Sequence, residues 1–404
     1  MTRYHAAWIL PITGSPIRDG WVDVEDGLVA GVGSGEDRTP PPSSEVSLGS
    51  SLVLPGLVNA HTHLELSGLH GRVPPADSMP SWARDVLART AGGDPDRAAI
   101  DAAAASAYRS GTALVGDISN TLESVDPLRR SPMDGVVFKE LLGFNERSPS
   151  ELLRRTLAEL DRHEGEGPRL SLAAHAPYSV SPALFSALRE AADTRAIGPL
   201  SVHVAESVAE LEFLRSGTGP WREILEERGR WDAAWTPADD GPIAYLDRLG
   251  WVRGDTLMVH GVQLTARELD RLAAAGTTLV ACPRSNRWTG AGTPPMGRFY
   301  ASGVRVALGT DSLASAADLN LFAEVHEVRR LAPQVPASEV LRSATLCGAE
   351  ALGFGGRFGA IEVGYQAALI AVSGATAVDD VEEYLVGGIQ PEQVTWLVPR
   401  DDDS

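Results

Sequence analysis

In the stretch VNAHTHLELSGLHG, His61 and His63 stand two residues apart at the end of the apolar run SLVLPGLV. Residues two apart on a strand project to the same face, so both imidazoles leave one strand end together. The placement recurs along the chain. His175 follows LSLAA, His203 lies in LSVHVAES with Glu206 three residues on, His260 closes TLMVH, and Asp311 follows RVALGT. One such histidine is most simply a core or solvated residue. Several of them at strand ends that converge in space form the pattern of a metal site. Imidazoles with a carboxylate suit Zn²⁺, with Fe²⁺ or Mn²⁺ as alternatives. An ion held there makes a water acidic enough to attack an electrophilic carbon near neutral pH.

Those strand ends need a fold that brings them together. Between about residues 55 and 354, eight apolar runs alternate with helical patterns: GLVNAHTH, ALVGDIS, GVVFKELLG, LSLAAHAP, LSVHVAES, TLMVHGV, TTLVACPRSN and RVALGTDS. Between them, segments such as SPSELLRRTLAELDRH, SPALFSALREAAD and TARELDRLAAAG repeat apolar residues three and four apart. Eight such units predict an α/β fold, a (β/α)₈ TIM barrel, whose chemistry sits at the C-terminal strand ends. A doubly wound open sheet ranks lower, because no G-x-G-x-x-G follows an early strand. Residues 1–54 and 355–404 read as short strands, among them AAWILPI, VEEYLVGG and VTWLVPR, rich in β-formers and broken by turn residues. They predict a small β-sandwich domain built from both chain ends beside a barrel over 55–354. Segment 207–250 is longer than a minimal crossover and is expected to place helices over the barrel mouth.

Composition narrows the function. The formal net charge of −19 argues against nucleic-acid binding as the main activity, since a phosphate backbone wants a basic face. No apolar run reaches membrane-spanning length, and MTRYHAAWILPITG lacks the pattern of a signal peptide. Cys282 and Cys347 make no disulfide framework and read as reduced. The expectation is a cytoplasmic protein with a small-molecule substrate and no nucleic-acid or membrane partner. A homodimer is compatible with this reading, although the sequence specifies no assembly. Lys139 is the only lysine.

PGLVNAHTHLELS, HAPYSVSP, HVAES, VHGVQLT, CPRSN and LGTDS resemble, in order and at ordinary spacing, the motifs of the amidohydrolase superfamily. Binuclear members carry a carboxylated lysine at the end of strand 4. LSLAAHAP has none, and Lys139 lies on the third candidate strand, so the resemblance implies one metal per subunit. In the mononuclear deaminase and chlorohydrolase branch it implies His61, His63, His203 and Asp311 as ligands. His260 would then orient the reacting water, Glu206 would shuttle protons, and Asp311 would accept the proton that water gives up. His175 would face the substrate.

Other residues are candidates for binding substrate. Asn286, in CPRSN, could fix the strand 7 loop or touch substrate, and Arg284 or Arg287 could meet a carboxylate. Glu65 continues the alternation of the histidine pair and could line the pocket, with Trp82 as a wall. HTHLELSGL, the GPWREILEERG insertion, CPRSNR and GTDSLAS resemble most the aminodeoxyfutalosine deaminases of menaquinone biosynthesis. That resemblance implies deamination of 6-amino-6-deoxyfutalosine, whose benzoate would suit Arg284 or Arg287. Deamination of S-adenosylhomocysteine, methylthioadenosine or another N-heterocycle, or dechlorination, is the alternative. A non-catalytic metal-binding scaffold ranks last, because the chain keeps a full ligand set and Glu206.

Overall fold

The computed structural model describes residues 1–35, 42–91, 93–238, 240–374 and 378–398. The N-terminal segment forms β1 (Thr2–Ile9), β2 (Ile17–Glu25), β3 (Leu28–Ser34), β4 (Ser44–Ser47) and β5 (Leu52–Pro55). Eight strands follow: β6 (Leu57–Thr62), β7 (Thr112–Ser119), β8 (Asp134–Leu141), β9 (Arg169–Ala174), β10 (Leu200–Val204), β11 (Thr256–His260), β12 (Thr278–Ala281) and β13 (Arg305–Leu308). Each overlaps one of the eight apolar runs. They pair in parallel in chain order, with helices between them, as a (β/α)₈ barrel requires. Strands such as LSVHV and TLVA are buried along their whole length, the mark of a parallel sheet covered on both faces. Val58, Phe138, Val259, Val280 and Ala307, from five strands, belong to one buried cluster. Burying each of these larger side chains contributes on the order of 1.5–3 kcal/mol.

Closure of the barrel joins β13 to β6. Thr62 bridges Asp311, and the Asp311 N–H donates to the His61 carbonyl at 3.1 Å. Asn59 and Thr310 exchange two hydrogen bonds, of 2.8 and 3.1 Å. Gly309 permits the approach, because a Cβ there would lie 2.7 Å from the His61 Cβ. The contact that seals the barrel therefore also sets Asp311 beside the His61–His63 pair.

The chain ends meet in one seven-stranded sheet of order β15-β14-β5-β1-β2-β3, with β4 against β1, where β14 is Leu369–Val372 and β15 is Val394–Trp396. Both chain ends thus contribute to one small β unit beside the barrel, its strands hydrogen-bonded as a mixed sheet. VEEYLVGG, expected as a strand, is corrected. It contains a helix, Val381–Val386, whose first turn is held by the Asp380 carboxylate accepting from the Glu382 and Glu383 N–H groups. A capping aspartate outweighs the β-formers there. Residues 36–41, 375–377 and 399–404 of the expected flanking domain, and Asp239 in the long crossover, lie outside the described residues. That crossover supplies three helices, Val208–Ser216, Pro220–Glu227 and Pro242–Arg248. Among the described residues, no helix is long and apolar enough to cross a membrane.

Candidate active site

The C-terminal strand ends bring His61, His63, His175, His203, His260 and Asp311 together. His203 Nε2 lies 3.3 Å from both His61 Nε2 and His63 Nε2, and His63 Nε2 lies 3.6 Å from Asp311 Oδ1. The His260 and His203 rings stack at 5.4 Å, and the His175 ring is 5.1 Å from His203. The backbone is bent to achieve this. Ala205, His260 and Asp311, each at or just past a strand end, take the left-handed conformation with φ of 51°, 77° and 57°. Such strain in non-glycine residues gathers at functional sites.

All five imidazoles are held neutral. Burial, then neighbouring imidazoles, keeps His61 and His63 well below the ordinary histidine value. Burial pushes His260 down to about 3 and His175 to about 4. It also lowers His203, against the opposing pull of Glu140. His203 Nδ1 bonds the His175 carbonyl at 2.7 Å, which leaves Nε2 bare and facing two other ring nitrogens. A single bare nitrogen can accept one hydrogen bond, and it cannot satisfy both neighbours. One cation accepting the lone pairs of His61, His63 and His203 together with an Asp311 oxygen satisfies them all. The residues present thus fit a single divalent metal.

Around this centre, Glu206 lies with Oε2 3.6 Å from His260 Nε2. Asn286 Nδ2 reaches Glu206 Oε1 at 3.4 Å and His260 Nδ1 at 3.0 Å. Burial, then Asp311 and Glu210, raises the Glu206 carboxyl well above the ordinary carboxylic range.

Three further residues of this neighbourhood escaped the reading of the sequence. Glu210 accepts from the Ala205 and Glu206 N–H groups at 2.7 and 2.9 Å and pins the strained turn that presents Glu206. Ser285 donates to Asp311 Oδ2 at 2.5 Å. Glu140 is buried, with Oε1 3.6 Å from His203 Nδ1 and Oε2 accepting from Asn120 at 2.8 Å. The available signal for Glu140 was the strand-end rule itself, since it nearly closes β8.

The other candidates make contacts within the protein. The Glu65 carboxylate is one of them. Its oxygens accept from the Ser119 and Thr121 hydroxyls and from the N–H groups of Asn120, Thr121 and Glu123, tying down the loop after β7. Arg284 is engaged with Asp318 at 2.8 Å and with buried Glu324 at 3.6 Å. Arg287 pairs with Glu327 at 2.5 Å. Both arginines form ion pairs with carboxylates of the helix Leu321–Leu331. The Lys139 ammonium donates to the Asn120 carbonyl at 2.6 Å and pairs with Glu159 at 3.0 Å, which removes any metal-bridging role. Trp82 packs on Leu69, Val73 and Ala314, and its indole N–H donates to the Ala314 carbonyl at 3.2 Å. It braces the loop after β13. Cys282 and Cys347 are buried free thiols, both with raised pKa from burial, so they are poor nucleophiles.

Residues 52–395 match the amidohydrolase family. An aminodeoxyfutalosine deaminase of Deinococcus radiodurans is 35% identical over 353 residues, covering 83% of this chain and 81% of that protein. A 5-methylthioadenosine/S-adenosylhomocysteine deaminase of Syntrophobacter fumaroxidans is 32% identical, over 87% and 80%. Among solved structures, an adenosine deaminase from Xanthomonas campestris with bound zinc superposes with a TM-score of 0.82 at 28% identity, over 98% and 90% of the two chains. The Helicobacter pylori aminofutalosine deaminase in complex with methylthio-coformycin gives 0.84 at 26% identity, over 96% and 95%. With the barrel and its cluster of imidazoles and carboxylates, these likenesses make the chain an enzyme of the amidohydrolase family.

Proposed function

We propose that this enzyme is a Zn²⁺-dependent deaminase of an adenine-type nucleoside, with 6-amino-6-deoxyfutalosine as preferred substrate and futalosine and ammonia as products. One observation carries the reading. Glu206 is buried, 3.6 Å from His260 and held by Asn286, beside the imidazole cluster. Replacing an amine on a cyclic amidine by oxygen needs an acid for the ring nitrogen and a second group to carry water's proton. When bound by His61, His63, His203 and Asp311, the ion supplies Lewis acidity that lowers the pKa of a water.

The side chains do the rest. Glu206 gives its proton to the ring nitrogen while water adds to the adjacent carbon, and Asp311 takes the proton that water releases. Asp311 then returns a proton to the exocyclic amine, which leaves as ammonia. Glu206 recovers its own proton from the new hydroxyl as the carbonyl forms. Both groups end as they began. Asn286 holds Glu206 and His260 in register, and neutral His260 orients the water. His175, its Nδ1 bonded to Ser179 at 2.6 Å, keeps Nε2 for the heterocycle.

Two relatives named as aminodeoxyfutalosine deaminases, 35% and 29% identical, support the preferred substrate. The relative at 32% favours methylthioadenosine or S-adenosylhomocysteine as the second reading. Ammonia release from aminodeoxyfutalosine, methylthioadenosine, S-adenosylhomocysteine and adenosine by Zn-loaded protein tests both. The expected result is kcat/KM for the first above about 10⁴ M⁻¹s⁻¹. Glu206→Gln should lose roughly 10²–10⁴-fold with its zinc retained. Ammonia from none of the four by the zinc-loaded protein would overturn the nucleoside reading.

A further inference from the structure

Arg284 and Arg287 are held in ion pairs, and a second set of groups lies nearer the imidazole cluster. Tyr178 lies three residues after His175, in the loop after β9, and its ring meets the His175 ring edge-on at 5.7 Å. Its other face is stacked on Trp221, with centroids 3.9 Å apart and planes 12° from parallel. Trp221 comes from the crossover helix Pro220–Glu227. Arg84 ties that helix to the helix Met79–Thr90 through Glu223 and Glu227, at 3.3 and 3.0 Å. Both rings are buried, with Tyr178 3% and Trp221 5% exposed. Yet the Tyr178 hydroxyl and the Trp221 indole N–H are both without a hydrogen-bond partner. Buried polar groups are almost always satisfied, and a pair left open beside a reactive centre calls for a partner that arrives from outside. Burial, with Glu206, Glu210 and Glu140 nearby, holds the phenol well above its ordinary value, so it stays a donor. Two neutral donors suit a neutral acceptor oxygen.

Resting on the deaminase reading, we infer that Tyr178 and Trp221 form a donor pair that recognises an uncharged oxygen of the nucleoside, on the sugar or on the arm at its 5′ carbon. They act on binding and specificity and leave the chemistry to Glu206 and its neighbours.

The test is calorimetric binding of 6-oxo products to Zn-loaded wild type, Tyr178→Phe and Trp221→Phe, which keep a packed ring and lose one donor each. Hypoxanthine offers the base alone, 5′-deoxyinosine adds the sugar, and inosine adds the 5′ oxygen. The inosine-to-hypoxanthine affinity ratio should fall roughly 10–100-fold in at least one variant. Zinc content and melting temperature should stay at wild-type values. A matching loss for 5′-deoxyinosine assigns the contact to the sugar, and a loss confined to inosine assigns it to the 5′ arm. An unchanged ratio in both variants overturns the inference while leaving the deaminase reading intact. Wild-type protein that binds neither inosine nor 5′-deoxyinosine overturns both.

Discussion

Two faces of one short helix, Pro283–Trp288, serve opposite ends. Its inner face carries Ser285 and Asn286, which hold Asp311, His260 and Glu206. Its outer face carries Arg284 and Arg287, three residues apart, which meet Glu324 and Glu327, also three apart on the neighbouring helix. Residues three apart share a helix face, so the two pairs match in spacing. Carboxylates on the outside have a guanidinium each. Inside, Glu206 has an amide and a neutral imidazole. The comparison also shows how strongly burial acts. Glu324 is raised to about 8 by burial even with Arg284 beside it. Half-exposed Arg287 and Arg330 instead draw the less deeply buried Glu327 below the ordinary value. On the inner face Glu206 is buried without a counter-charge. The outer face locks two helices together.

The contrast can be broken most severely from within. His203→Ala removes the nitrogen shared by the His61 and His63 contacts. Zinc stoichiometry should collapse and ammonia release should fall by more than the roughly 10–100-fold typical of losing a group that merely supports a ligand. Retained zinc and activity would show that the cluster is not the metal site. Asn286→Ala, on the inner face of the helix, should lower kcat roughly 10–100-fold with zinc still bound. It should also move the basic limb of the pH–rate profile to higher pH, because the Asn286 donor lowers the Glu206 pKa and its loss raises it further.

On the outer side, the effect should be on stability alone. The folded pKa of Glu324, about 8, lies above the ordinary 4.5 of the unfolded chain. The folded state therefore binds more protons than the unfolded state between these values, and this group's contribution to stability declines as pH rises from about 4.5 to 8. Glu324→Gln should flatten that decline by a few kcal/mol at most, measured as denaturant midpoints at pH 5 and pH 8, with kcat/KM within about twofold. An identical decline in the variant would assign the slope to other groups. The smallest effect belongs to Arg287→Ala. Its side chain is half exposed, so the loss should stay below about 1 kcal/mol with no change in activity. A large loss of turnover of a carboxylated nucleoside would return Arg287 to the binding site.

The sequence by itself determined the barrel and the polar strand ends. Strand runs such as LSVHV and TLVA are apolar throughout because parallel strands are covered on both faces, and that pattern is local. So is the rule that residues closing such strands gather at one mouth, which brings together His61, His63, His175, His203, His260 and Asp311. Tertiary structure decided which way each remaining side chain turned and what it met. Glu65 continues the alternation of the histidine pair, yet the loop after β7 offers it five hydrogen-bonding groups. Arg284 and Asn286 are two residues apart and part company because a helix turns about 100° per residue. Nothing near Arg284 in the sequence announces that Glu324 waits on its side. The Tyr178–Trp221 stack joins a strand-end loop to a distant crossover helix, a meeting that no local pattern encodes. Periodicity records which face is buried. Partner identity depends on long-range packing, and there burial and hydrogen-bond satisfaction, rather than residue type, set each group's role.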